Sequence, residues 1–144
     1  MQTIALRTAK LKDIQSVYMT SNFITLQLPT FTDLQGSLTV LENALPFDVV
    51  RVYWIYGADG QVRAGHRHTH SRQAAIAMRG CISLYMNDGV SEEVIELSQP
   101  NKCLLIEPKD WHTATFGPDS ILMVLSSHAY DRSEYIDLPY VRLT

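Results

Sequence analysis

Hydrophobic positions in this chain come as short runs, each closed by a turn residue. Ile24–Leu28 stops at Pro29, and Ser37–Leu41 follows Gly36. Val49–Tyr56, rich in β-branched and aromatic residues, ends at Gly57-Ala58-Asp59-Gly60. Ala74–Met78 stops at Arg79-Gly80, and Cys81–Met86 stops at Asn87-Asp88-Gly89, a glycine-containing hairpin signal. Val94–Leu97 runs out before Gln99-Pro100, Cys103–Ile106 ends before Pro108, and Ile121–Ser126 closes the series. Runs of this size, bounded by Gly, Pro, Asn and Asp, are strand-like. Beyond residue 35 the 3.6-residue period of an amphipathic helix is hard to find. The pattern predicts an all-β, single-domain protein, a sandwich or barrel of short strands.

The first 20 residues are less regular. Leu6, Leu11, Ile14 and Val17 are spaced by five, three and three, which suits a short helix or an added edge strand. Residues 1–20 are therefore read as an N-terminal extension and residues 21–144 as the domain.

Composition narrows the classes of function. The 144-residue chain is long enough to bury a core without metal or disulfide staples. With 19% charged residues and a formal charge of −3, it has no electrostatic basis for binding nucleic acid. Its N-terminal segment lacks the apolar stretch of a signal peptide. No apolar run nears the ~18–20 residues that cross a bilayer. A cytoplasmic protein that meets no membrane is expected. Cys81 and Cys103 form no C-x-x-C pair, and they read as small buried hydrophobes in a reducing compartment rather than as a disulfide.

The histidines change the picture from fold to chemistry. Gly65-His66-Arg67-His68-Thr69-His70 sets three of the five histidines at alternate positions. On a strand, residues two apart share a face, so all three imidazoles would project together. A fourth, His112, follows Pro108-Lys109-Asp110-Trp111 at the start of a later strand. Gly60, five residues, His66-x-His68, four residues, Gln73, six residues and Gly80 follow the first sequence motif of the cupin superfamily, with Gln73 where metal-binding members have Glu. Pro108-x-Asp110-x-His112 loosely echoes the second motif.

Two chemistries fit these residues. Imidazoles with a carboxylate suit iron, manganese, nickel or zinc, but Gln73 offers only a neutral oxygen, so a bound metal would rest on His66, His68 and His112. Without metal, the same rings serve as acid and base, since a reference pKa of about 6.5 lets one accept a proton while a neighbour donates. Two histidines on one strand face, about 7 Å apart at Cα, can serve adjacent carbons of one substrate. That geometry suits moving a carbonyl along a sugar through an enediol.

From about Asp33 onward the chain resembles the dTDP-sugar 3,4-ketoisomerases of the cupin superfamily. The resemblance lies in Asp33-Leu-Gln-Gly-Ser-Leu38, Pro46-Phe-Asp-Val-Val-Arg-Val-Tyr53, Arg63-Ala-Gly-His-Arg-His68 with Gln73, and Asn87-Asp-Gly89. It continues in Pro108-Lys-Asp-Trp-His112, Val124-Leu-Ser-Ser127 and Tyr130-Asp-x-x-x-Tyr135-Ile136, in the family's order. It implies a cupin jelly-roll barrel (a double-stranded β-helix). It also implies a homodimer that converts dTDP-4-keto-6-deoxyglucose into its 3-keto isomer for the deoxy-amino sugars of surface glycans, with no metal or other cofactor. Carried over by position, His66 is the base at C3 and His68 its relay or the donor toward C4, or the reverse. Arg63 is a candidate for the diphosphate or the enediolate oxygen, because a guanidinium fork suits phosphate. Arg51 and Tyr53 share a strand face; each is either a pocket residue or, respectively, a surface charge and ordinary core. Gln73 is expected to line the cavity, and His112 to contact the substrate. Two other readings of the scaffold are a metal-dependent cupin enzyme or sugar epimerase, and a non-catalytic nucleotide-sugar-binding cupin. Gln35, where the family usually has Arg, points toward the last.

Overall fold

Alternation of inward and outward side chains builds two facing antiparallel sheets. The computed structural model describes residues 16–18, as backbone, and residues 22–141. The strands are β1 (Ser16–Tyr18), β2 (Thr25–Gln27), β3 (Thr30–Asp33), β4 (Gly36–Thr39), β5 (Arg51–Ile55), β6 (Val62–His68) and β7 (Gln73–Arg79). There follow β8 (Ile82–Asn87), β9 (Glu92–Leu97), β10 (Lys102–Ile106), β11 (Trp111–Phe116), β12 (Ile121–Ser126), a 3-10 turn (Arg132–Glu134) and β13 (Tyr135–Ile136). One sheet runs β1-β2-β10-β7-β12-β5, the other β13-β6-β11-β8-β9, and β3 and β4 form a separate hairpin. This is the all-β, cupin-type jelly roll expected from the sequence. Of the first 20 residues, Ser16–Tyr18 pair with β2 as an edge strand; residues 1–15 and 19–20 lie outside the described residues.

The burial of each strand explains its sequence. Ile82, Leu84 and Met86 of β8 are buried while Ser83, Tyr85 and Asn87 are only partly so, because one face of that sheet meets the core and the other meets water. β7 and β10 carry unbroken apolar runs because both of their faces are covered. Ala75, Ala77, Leu104 and Ile106 enter the core between the sheets with Phe116, Leu122 and Val124. Ala74, Ile76, Cys103 and Leu105 enter a second cluster with Ala44, Leu45 and the partly buried Leu41 and Phe47. Arg72 fixes the segment carrying those covering residues: its guanidinium donates to both Glu107 carboxylate oxygens at 2.9 Å and to the Pro46 carbonyl at 2.9 Å. Glycine closes the first motif for a steric reason. Gly80 has φ +76°, and a Cβ there would lie 2.3 Å from Ser120 Oγ, the hydroxyl that donates to the Cys81 carbonyl.

Both cysteines are free, as the sequence suggested. Cys103 is buried, but Cys81 is exposed and donates to Glu96, because it stands in the turn between the sheets. Among the described residues no helix is long and apolar enough to cross a membrane.

Candidate active site

The site is built around a bulge in β6. In antiparallel ladders, residues directly opposite share a face. His66 lies opposite His112 and Arg63 lies opposite Ala114, so three steps along β6 match two along β11. Ala64 (φ 68°) and Gly65 (φ 79°) absorb the extra residue in the left-handed region. Strict alternation would turn Arg63 and His66 to opposite faces. The bulge brings both to the inner one, where they line a cavity of about 380 Å³.

That cavity also presents Arg51, Tyr53, Gln73, His112 and Tyr135. Arg51 and Tyr53 therefore face inward together on β5, and the Arg51 guanidinium lies 4.3 Å from the Tyr53 ring centroid. The buried Gln73 amide donates to the Tyr53 hydroxyl at 3.4 Å. Burial raises the Tyr53 phenol pKa above its ordinary value. Among the described residues no Asp or Glu lines this cavity, so in a net acidic chain its titratable wall is cationic, phenolic or imidazole.

Three imidazoles meet at the inner wall. His66 lies 5.0 Å from His68 and 5.1 Å from His112 between ring centroids, and His68 lies 6.0 Å from His112. His66 is partly exposed to the cavity; His68 is set behind it, 2% exposed, and neither of its ring nitrogens meets a hydrogen-bond partner among the described residues. Burial lowers the pKa of each: His66 falls below its usual value, His68 to about 3 and His112 to about 4. For His68 the neighbouring His112 and His66 add to the effect. His112 Nδ1 is 2.9 Å from the Asp110 carbonyl; that oxygen can only accept, so Nδ1 carries the proton and Nε2 keeps a lone pair. The rings pack edge to face or offset, and among the described residues no group of three His, Cys, Asp or Glu side chains could hold a metal ion.

Two features depart from the sequence reading. His70 does not join the face of His66 and His68, because β6 ends at His68 and the chain turns. It stands half exposed, its Nε2 2.6 Å from Glu134 and its ring 4.6 Å from that of His128. The place beside the pair is taken by Tyr135, whose ring lies 4.5 Å from His66 and 4.8 Å from His68. Periodicity could not find Tyr135, since its strand is two residues long. Its only signal was its place in the Tyr130-to-Ile136 segment.

The profile of the family described as "FdtA: WxcM-like, C-terminal" matches residues 21–140. A TDP-4-oxo-6-deoxy-alpha-D-glucose-3,4-oxoisomerase from Aneurinibacillus thermoaerophilus is 33% identical over 108 residues, covering 72% of this chain and 78% of that one. The sugar 3,4-ketoisomerase QdtA from Thermoanaerobacterium thermosaccharolyticum, solved with TDP, superposes with a TM-score of 0.78 at 31% identity, covering 83% of this chain and 90% of that one. A variant of that enzyme was also solved with TDP-4-keto-6-deoxyglucose. The TDP-quinovose 3,4-ketoisomerase WlaRB from Campylobacter jejuni gives a TM-score of 0.78 at 34% identity over 82% of this chain and 94% of that one.

Proposed function

The chain belongs to the FdtA (WxcM-like, C-terminal) family, and from that premise we propose that it is a 3,4-ketoisomerase acting on TDP-4-keto-6-deoxyglucose. One observation carries the reading: a cavity bearing Arg51 and Arg63, with no carboxylate in its described wall and with neutral imidazoles along its inner side. Such a site attracts an anionic nucleotide sugar and leaves histidine as the general base.

The chemistry follows from the substrate. A C3–H beside a C4 carbonyl is acidic because the electron pair it leaves is delocalised onto O4. Neutral His66 takes that proton, C3=C4 forms, and charge develops on O4, where a guanidinium stabilises it. The O3 proton passes to O4, the enediol collapses to a C3 carbonyl, and the imidazolium returns its proton to C4. One C–H bond breaks and one forms, with no net oxidation, so the step needs no redox cofactor. A lowered pKa makes His66 imidazolium a strong acid that gives the proton back readily. His68, packed behind His66, relays or shares the transient charge. Arg63 and Arg51 hold the diphosphate and the developing oxyanion, while the Tyr53–Gln73 pair orients the sugar hydroxyls. His112 offers its Nε2 lone pair to the sugar edge.

A 3-keto sugar suits amination at C3, and our reading puts the enzyme in cytoplasmic deoxy-amino-sugar synthesis for surface glycans. A homodimer is part of the proposal. It is supported by Val52 and Trp54, exposed on the outer face of β5, and by Phe31, Leu34 and Leu38, exposed on the β3–β4 hairpin. Replacing Trp54 and Leu38 by Glu is expected to give monomers in light scattering; a wild-type monomer would refute the dimer.

The test of function is conversion of TDP-4-keto-6-deoxyglucose by chelator-treated protein, followed by NMR of the sugar. A 3-keto product is expected. Intact substrate with folded protein would refute the assignment, and activity restored only by added metal would favour the metal-dependent alternative.

A further inference from the structure

Glu134 and Asp110 are the two carboxylates buried among the described residues, and Glu134 stands next to Tyr135 in the chain. We infer that Glu134, clamped by His70, is a positioning residue that seats Tyr135 against the His66–His68 pair. The inference rests on the reading of this cavity as the ketoisomerase site.

A buried carboxylate is costly unless it is paired, so its partners fix where its chain segment can lie. The side chain and the carbonyl of residue 134 both reach the three residues just past β6, while its N–H donates to the Asp131 carbonyl at 3.2 Å. Its Oε1 accepts from the Ser71 N–H at 3.2 Å, and its Oε2 lies 2.6 Å from His70 Nε2, a close contact without hydrogen-bond geometry. Its carbonyl accepts from the Thr69 N–H at 2.9 Å and from Thr69 Oγ1 at 3.0 Å. These contacts tie residue 134 to a fixed point immediately after His68. In the ladder, Tyr135 then falls opposite His68, and its ring covers both imidazoles. A two-residue strand cannot hold register through its own ladder, and the buried Glu134 next to it, held to residues 69–71, supplies what the ladder lacks. Asp131 prepares the approach by accepting from the Ser133 N–H at 3.0 Å at the start of the 3-10 turn.

Tyr135 walls the pair on one side, so losing its seat frees the His66 ring to swing. Glu134 does not line the cavity, so substrate affinity need not change with it. The experiment measures kcat and KM for Glu134→Ala, Glu134→Gln, His70→Ala and the Glu134→Ala/His70→Ala double variant, at a temperature well below each melting point. About a tenfold or greater loss of kcat with KM within about threefold is expected for Glu134→Ala, with most of it restored in Glu134→Gln. The double variant should be no slower than Glu134→Ala, since the two side chains act as one unit. Unchanged kcat per folded molecule in Glu134→Ala would overturn the inference and leave Glu134 a structural carboxylate. Should Glu134→Ala not fold, His70→Ala, altered at a half-exposed side chain, decides the matter on the same criterion. Nitrogen-15 histidine NMR of His70→Ala gives a second readout that needs no turnover. Shifted His66 and His68 imidazole signals support the latch, and unmoved signals refute it. An inactive wild type would count against the proposed substrate alone.

Discussion

Burial sets the working protonation state of His66. An imidazole acting as base must be neutral, and desolvation holds its pKa below the ordinary value of 6.5. Activity is therefore expected to stay level from pH 8 to below about 6.5 and to fall only as His66 takes up a proton at lower pH. A kcat profile that declines at or above about pH 6.5 would contradict this assignment. Stability should respond to the same burial. Unfolded chains protonate His68 and His112 near 6.5, whereas the folded protein does so only near 3 and 4. Between those values the unfolded state binds more protons, so stability drops as pH falls from 6.5, by about 1.4 kcal/mol per pH unit for each histidine. Asp110 works the other way. Burial raises its carboxyl to about 6, so between 6 and its ordinary 3.8 the folded state binds the extra proton and offsets one histidine. His68→Asn should flatten the acid side of a melting-temperature profile; an unchanged slope would show that His68 does not titrate as described.

At the scale of elements, the β6 bulge gives Arg63 access to the cavity. Gly65→Val would force a β-branched residue into φ 79°, at a cost of about 1–2 kcal/mol. Relaxing the bulge would turn Arg63 away, so KM for the nucleotide sugar should rise more than kcat falls. Equal KM in the variant would mean that the bulge serves packing alone. Much of this level was legible in the sequence. Ile82, Leu84 and Met86 alternate with polar partners and announce a half-buried strand, and the Asn87-Asp88-Gly89 turn joins β8 to β9 as its chemistry suggested. The continuous run Ala74–Met78 announced a strand but not its second covered face, because the residues from Leu41 to Phe47 that cover it have no period of their own. His70 was misplaced because alternation continues on paper where the chain turns. β13 was invisible because it is fixed by Glu134 and the turn before it, contacts that span more than sixty residues of sequence.

Across the whole molecule, charge is separated by location. The chain is net acidic, yet Arg51 and Arg63 face a cavity whose described wall holds no carboxylate. Arg63→Ala should weaken TDP binding by about tenfold or more and reduce the salt dependence of that binding, since a charge-assisted contact is lost. Titration calorimetry at two ionic strengths would check both; unchanged affinity would remove Arg63 from the diphosphate site. The most direct test of the account follows TDP-4-keto-6-deoxyglucose in deuterated water by proton NMR, with wild-type protein and with His66→Asn. The wild type should form the 3-keto sugar, with any C–H label arising by exchange of the transferred proton confined to C3 and C4. His66→Asn should bind the sugar but lose activity by orders of magnitude. Full activity in His66→Asn, or deuterium entering at C5 instead, would contradict a 3,4-ketoisomerase with His66 as its base.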